Sequence, residues 1–343
     1  MHGDYIAYET ARAAQADRLQ TAVATISEQV LRRQAAGELT GPGPIFVGIG
    51  ASLAAACAPV WALRSREIHS WRLGAGDLPL PFPAADNPII GISQSGRSSE
   101  TIAVLRSVEE SRRYAVVNNV PSPLAELVER TITLGTIPDS YASTIGYTAT
   151  VVALGMIAEA WNGGALDPEW ERLHLDFRQA EQDLAAPLAE VAKLFVDTPS
   201  VDFVGTGPAV GSAEAGALLF REVARIHSTA MSTRQYLHGS MESAGDGVHV
   251  LFGDERELEV ARTLSEAGHQ VVLFSNEDVT PSEHLHIVRL PKLGASRRAI
   301  IEALAMQILV GEVAALRGVD IEEFVFHNSD TKVVEAEPSG SAS

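Results

Sequence analysis

Eight short apolar runs punctuate the chain, each leaving through glycine or small polar residues. They are PIFVGIG (44–50), NPIIGIS (87–93), RYAVVNNV (113–120) and TITLGT (131–136), then SVDFVGTG (200–207), GVHVLFGD (247–254), QVVLFSN (270–276) and HIVRLPK (286–292). Long alanine-rich helical patterns lie between them. A strand that is apolar on both faces must be covered on both faces, and an intervening helix returns the chain so that the next strand runs parallel. The expected fold is α/β: two tandem doubly wound units, each a parallel sheet flanked by helices.

The two halves look alike. PIFVGIGAS pairs with SVDFVGTGPA, and VVNN with LFSN; both pairs stand 157 residues apart (205 − 48 and 275 − 118). One offset at two separate strand exits points to an internal duplication. The expected organisation is leader helices over 1–43, a first unit over 44–165, a second over 166–335 with its linking helix, and a disordered tail over 336–343. The boundary falls in the polar stretch EAWNGGALDPEWERL.

The formal net charge is −18, so the long-range field repels nucleic-acid backbones and anionic lipid. Neither is an expected partner. An anionic small molecule would have to be held by local devices such as helix N-termini and oriented backbone N–H groups. The single cysteine, Cys57, permits no internal disulfide or thiolate cluster and reads as a small buried residue. The first residues, MHGDYIAYETARAAQADRL, have no apolar signal-like core. The longest apolar stretch, IIEALAMQILVGEVAAL, is broken by Glu302, Gln307 and Glu312, which suits a core helix better than a membrane span. A cytoplasmic location is expected.

Three loops in the first half are rich in small hydroxyl residues. Gly50, Ala51 and Ser52 lie in GIGAS, Ser93, Gln94, Ser95 and Ser98 in SQSGRSS, and Ser143 and Thr144 in YASTIG. Taken singly, each serine is best read as a cap or turn residue. Three such loops, read as three successive strand exits, could together surround a phosphate, with Gly50 and Gly96 letting the main chain approach closely. The equivalent segment of the second half, LFGDERELEV, is acidic, so only the first half is expected to welcome an anion. No GxxxxGK[ST] or GxGxxG fingerprint is present, which favours a small phosphate ester over a nucleotide.

These motifs resemble the sugar isomerase (SIS) domain proteins, in the tandem arrangement of the isomerase half of glucosamine-fructose-6-phosphate aminotransferase. GIGAS, ISQSGRSSET and ASTIGYT are similar to that family's sugar-phosphate loops, and GALLFREVARIHSTAMSTRQYLHG to its catalytic segment. The resemblance implies a catalytic glutamate at Glu222, a histidine at His238 and, in SDTKVVE, a lysine at Lys332. It further implies a homodimer with shared active sites, a sugar phosphate as substrate, and no cofactor or metal. Two departures stand out. No glutamine-hydrolysing domain with its N-terminal cysteine is read here. The family's synthase also has lysines where this chain has Leu219 and Ile145. The expected chemistry is therefore aldose–ketose isomerisation, amino-sugar phosphate deamination or deglycation, with a non-catalytic sugar-phosphate sensor as the alternative. A scaffolding role is made less attractive by the retained glutamate and histidine.

Interconverting adjacent carbons of a sugar needs a group that carries a carbon-bound proton, for which a carboxylate serves, with an imidazole for ring opening or the leaving group. Sixteen residues separate Glu222 from His238, about 24 Å along a continuous helix. Either the chain turns back at STAMST or the histidine comes from a neighbouring subunit. The bland readings are an ion-paired surface carboxylate for Glu222, beside Arg221 and Arg225, a loop histidine for His238, and a tail lysine for Lys332. His227, His249, His284 and His286 lack carboxylates at metal-ligand spacing and read as structural.

Overall fold

The computed structural model describes residues 5–83, 86–326, 328 and 330–333. Two leader helices, α1 (Tyr8–Ala13) and α2 (Gln15–Ala35), precede a five-stranded parallel sheet. Its strands are β1 (Ile45–Gly48), β2 (Trp71–Gly74), β3 (Ile89–Ser93), β4 (Arg113–Val117) and β5 (Arg130–Thr133). Its helices are α3 (Ala51–Ala55), α4 (Cys57–Ser65), α5 (Ser99–Arg106), α6 (Pro123–Leu127) and α7 (Ile145–Ala160). Helix α8 (Leu173–Ala192) leads to a second five-stranded parallel sheet of β6 (Ser200–Gly205), β7 (His227–Ser232), β8 (Val248–Phe252), β9 (Gln270–Ser275) and β10 (Leu285–Arg289). Around it lie α9 (Ala209–Glu222), α10 (Thr233–Leu237), α11 (Arg256–Glu266) and α12 (Ala295–Arg317).

The strand orders are β2-β1-β3-β4-β5 and β7-β6-β8-β9-β10, which are the same order twice. The 157-residue offset thus matches first strand to first strand and fourth to fourth. In each sheet the direction of winding reverses between the first and third strands, the place where an open α/β sheet leaves a crevice beyond its carboxyl ends.

Both second strands escape the sequence reading. They are edge strands with a single paired neighbour, β2 on β1 and β7 on β6. One solvated edge removes the demand for an apolar run, and WRLG and HSTAMS are accordingly half-exposed. The HSTAMS segment is therefore neither helix nor turn. It carries the chain from the end of α9 back along β6.

Strand alternation divides the core. Phe46, Ile90, Val116 and Ile132 of the first sheet share one cluster with Phe203, Val250, Val272 and Phe274 of the second. The opposite faces, with Val47, Ile89 and Val117 or with Val204, Leu251 and Leu273, build separate outer clusters. The layer between the sheets includes α7, α9 and α12. Helix α12 is long and apolar enough to cross a membrane by length and composition, but 78% of its apolar window is buried in the protein. Two of its polar interruptions, Glu302 and Gln307, are buried too and are satisfied, while Glu312 is exposed. Glu302 accepts from Ser212 Oγ at 2.5 Å and from Arg298 Nε at 2.8 Å, while Gln307 bonds Gln15 at 2.6 Å. The polar tail expected over 336–343 lies outside the described residues.

Candidate active site

At the first loop, Gly50 takes a φ of +57° and opens α3, which carries Ser52 at its start. At the second, Ser93 ends β3 with 1% exposure, and its Oγ lies 3.0 Å from Ser98 Oγ. Gly96 turns the loop at φ +66°, where a Cβ would collide with Ser122 Oγ, so only glycine fits. The Gln94 carbonyl accepts from the N–H groups of Asn118 and Asn119 at 2.9 and 3.1 Å, tying this loop to the exit of β4. Its side-chain Nε2 is buried without a hydrogen-bond partner. A buried, unpaired donor is costly unless something else accepts from it, and here it stands among the hydroxyls.

The third loop differs from expectation. It follows β5 rather than the strand after β3, so the three loops leave the first, third and fifth strands in chain order and are not successive exits. It still reaches the second loop, for a Cβ on Gly146 would lie 3.2 Å from Gln94 Cδ. Its hydroxyls are already engaged by Asp139, which the sequence reading did not single out. That carboxylate accepts from Ser143 Oγ at 2.7 Å, from Thr144 Oγ1 and N at 2.7 and 3.0 Å, and from Gly146 N at 2.9 Å. An acid at the N-terminus of α7 satisfies free N–H groups and the helix dipole. Thr144, fully buried, is thus part of a helix cap rather than a hydroxyl open to a ligand. Ser143 remains partly exposed beside Gln94.

Lys332 joins the same region from the other end of the chain. It forms an antiparallel bridge with Ser98, flanked by Ser99 N to Thr331 O at 3.1 Å and Val333 N to Arg97 O at 2.8 Å. Its Nζ lies 5.8 Å from the centre of the Tyr141 ring. The lysine segment is therefore stitched onto the serine loop.

Glu222 ends α9 on the stripe that faces the first sheet's half. Residues 211, 214, 218 and 222 recur at the spacing of one helix face. Gly211 packs on α3, where an added Cβ would lie 2.5 Å from Ala54 O, and Leu218 Cδ2 lies 3.5 Å from where a Cβ on Gly50 would be. Glu222 is one turn further on, about 6 Å along the axis from Leu218. The surface ion-pair reading fails for it. Arg221 donates to Ser228 O and Arg225 to Glu323 O, leaving the Glu222 carboxylate with no hydrogen bond or ion pair among the described residues. Burial alone pushes its pKa up to about 7.

His238 follows α10 and is exposed, with no side-chain partner among the described residues and no bond to Glu222 or Lys332. Leu219 and Ile145, at the positions of the synthase lysines, are buried. The histidines read as structural have local partners: His227 Nδ1 lies 3.5 Å from Arg221 Nη2, His249 Nδ1 meets Tyr236 Oη at 3.0 Å, and His284 and His286 both bond Gln270.

No family model matches the chain. Among curated proteins, it is 27% identical over 260 residues to a glutamine–fructose-6-phosphate aminotransferase (isomerizing) of Pseudomonas putida, covering 69% of this chain and 42% of the relative. The chain thus matches less than half the length of that relative. Among solved structures, it superposes on the C-terminal domain of glucosamine-fructose-6-phosphate aminotransferase from Francisella tularensis with a TM-score of 0.78 and 18% identity, covering 92% of this chain and 98% of the other. For tagatose-6-phosphate ketose/aldose isomerase from Escherichia coli the TM-score is 0.72 at 15% identity, with 94% and 97% covered. The chain thus shares the fold of these two structures and, over the matched 260 residues, resembles in sequence the isomerizing glutamine–fructose-6-phosphate aminotransferases.

Proposed function

We propose that the chain is a cytoplasmic phosphosugar enzyme that binds a hexose 6-phosphate derivative at the exits of β1 and β3 and moves a proton between adjacent carbons. The observation that carries this reading is Glu222: a half-buried carboxylate without a partner among the described residues, its pKa raised to about 7 by desolvation, on the helix face turned toward Gly50. The phosphate is held by Ser52, Ser93, Ser95, Ser98 and the Gln94 amide, with the N-termini of α3 and α5 supplying N–H groups. The Glu222 carboxylate takes the proton from the carbon beside the carbonyl, and that C–H pair becomes the C=C of an enediol as the carbonyl oxygen gains a proton. The protonated Glu222 then returns its proton to the neighbouring carbon, while the hydroxyl on the first carbon gives up its proton and becomes the new carbonyl. Where the carbon that loses the proton bears nitrogen, the intermediate is an enolamine; protonating its neighbour leaves an imine, to which water adds as the C–N bond breaks and ammonia or an amine leaves.

His238 makes no bond to Glu222 among the described residues, which supports a homodimer in which each site draws its histidine from the partner for ring opening. Lys332 reaches the substrate from the strap on the serine loop. A second reading, a non-catalytic sugar-phosphate sensor, is favoured by the apolar Leu219 and Ile145. The test is a panel of hexose, hexosamine and glycated-amine 6-phosphates, assayed in deuterated water for isomerised sugar, ammonia, amine and exchange of the carbon-bound hydrogen. Exchange that is lost in Glu222→Gln supports the enzyme. Tight binding with no exchange in the wild type establishes the sensor.

A further inference from the structure

The contact between α9 and the first half of the chain is built from small residues. Gly211 rides on the Ala54 carbonyl and on Cys57, whose Cβ would lie 2.7 Å from an added Cβ, and Ala54, Ala55 and Ala215 are buried nearby. Such a surface brings two backbones close but offers few ridges to oppose sliding along the helix axis. Direction comes from elsewhere. Arg72, on β2, forks onto Glu214 of α9, with Nη2 to Oε1 at 2.6 Å and Nη1 to Oε2 closer still. The same Nη1 donates to the carbonyl of Leu53 at 3.2 Å, the residue that follows Ser52. Among the described residues, the Arg72–Glu214 fork supplies the only side-chain hydrogen bonds joining α9 to the first half. Both partners are mostly shielded, with side-chain exposures of 22% and 33%.

One guanidinium therefore ties the loop that would hold phosphate to the helix that ends at Glu222, two turns beyond Glu214. A substrate anchored by its phosphate presents its reacting carbon at a fixed distance, so the base must stand at a matching height. Misplacement by about 1 Å can cost about a hundredfold in rate. We propose that Arg72 is a positioning residue: by bridging Glu214 and the Leu53 carbonyl it sets the separation between the phosphate loop and Glu222. This rests on the functional reading above. A planar, bidentate fork fixes distance and angle together, which a lysine cannot do.

The test compares Arg72→Gln, Arg72→Lys and the swapped pair Arg72→Glu with Glu214→Arg, in the full chain. Turnover is read on the active panel substrate, binding by calorimetry with fructose 6-phosphate, and the seat of Glu222 by NMR titration of its carboxyl carbon without substrate. Expected for Arg72→Gln is a turnover loss of about 10- to 100-fold with affinity changed less than about threefold. The Glu222 titration midpoint should fall from near 7 toward the ordinary 4.5 as water reaches the slackened helix end. Arg72→Lys should lie between, and the swap should recover both readouts. Unchanged turnover and midpoint in Arg72→Gln would overturn the proposal, as would a turnover loss matched by an equal loss of affinity. Should Arg72→Gln fail to fold, Arg72→Lys decides, and wild-type behaviour there overturns the fork. Glu222→Gln separates the two claims: full turnover in that variant sinks the catalytic reading, while the NMR midpoint still judges Arg72.

Discussion

Replacing Glu222 by glutamine should make the protein more stable, and only above a certain pH. In the folded chain the carboxyl titrates at about 7 against an ordinary 4.5, because burial disfavours the charged form. Below about pH 4.5 both folded and unfolded states carry the proton and the site contributes nothing. Between 4.5 and 7 the folded state keeps a proton that the unfolded state has released, so stability falls as pH rises, and above 7 the penalty is complete. A displacement of that size corresponds to about 3 kcal/mol at most, and to about 1 to 3 once the side chain's partial contact with solvent is discounted. Glutamine has nearly the same shape and no charge to desolvate. Urea unfolding of wild type and Glu222→Gln at pH 4.5, 6 and 8 should therefore show coincident midpoints at the acid end and a variant shifted to higher urea at pH 8, with unchanged slope. A midpoint difference independent of pH would refute the reasoning, because it would mean that the carboxylate is already solvated or paired. Gained stability with lost turnover in the same variant is the signature of a functional group held in an unfavourable setting.

Ser95→Ala combined with Ser98→Ala should weaken hexose 6-phosphate binding by about 1 to 3 kcal/mol in calorimetry, since hydrogen bonds to a charged phosphate are lost; unchanged affinity would place the anion elsewhere. Gly96→Ala should destabilise the chain by about 1 to 3 kcal/mol in thermal unfolding, because φ is positive there and the new methyl meets Ser122. Inactive Glu222→Gln and His238→Ala chains, unfolded together and reassembled, should regain about a quarter of wild-type sites if each site takes one residue from either subunit; mixed dimers without activity would refute shared sites.

Where the physics is local, the sequence is a good guide to this fold. Buried central strands must be apolar on both faces, so PIFVG, PIIGI, AVV, DFVG, VHVLF and QVVLF announce themselves. WRLG and HSTAMS do not, because an edge strand with a solvated side may be polar. The candidate site divides the same way. The hydroxyl loops and Gly96 are legible from composition and turn chemistry. The seat of Glu222 is not: Arg221 and Arg225 beside it suggest a surface ion pair, and only the tertiary fold sends both arginines to backbone carbonyls. Asp139 could have been noticed, as an acid shortly before a long helix, yet its claim on Ser143 and Thr144 depends on how the loop after β5 folds back. Arg72 carried no signal at all, lying on the strand that was missed.

The two sheets share a strand order but not a set of loops, and the loops of the second make it a poor host for an anion. At the exit of β8, equivalent to the serine loop after β3, Glu257 is buried at 2% exposure and accepts from Thr206 Oγ1 at 2.6 Å and from Thr233 Oγ1. Gly253 leaves room for this carboxylate, since an added Cβ would strike Glu257 itself. Beside it, Asp254 accepts from Ser275 Oγ at 2.8 Å, from Asn276 N at 2.9 Å and from Arg298. The hydroxyls and N–H groups that would cradle a phosphate are thus satisfied from within the chain, and a second anion would meet two carboxylates at close range. Freed of a ligand, the second half can offer its first helix instead: α9 begins at the exit of β6, lies along the first half, and ends in Glu222. A second crevice that fills itself with carboxylates can lend a helix to the first.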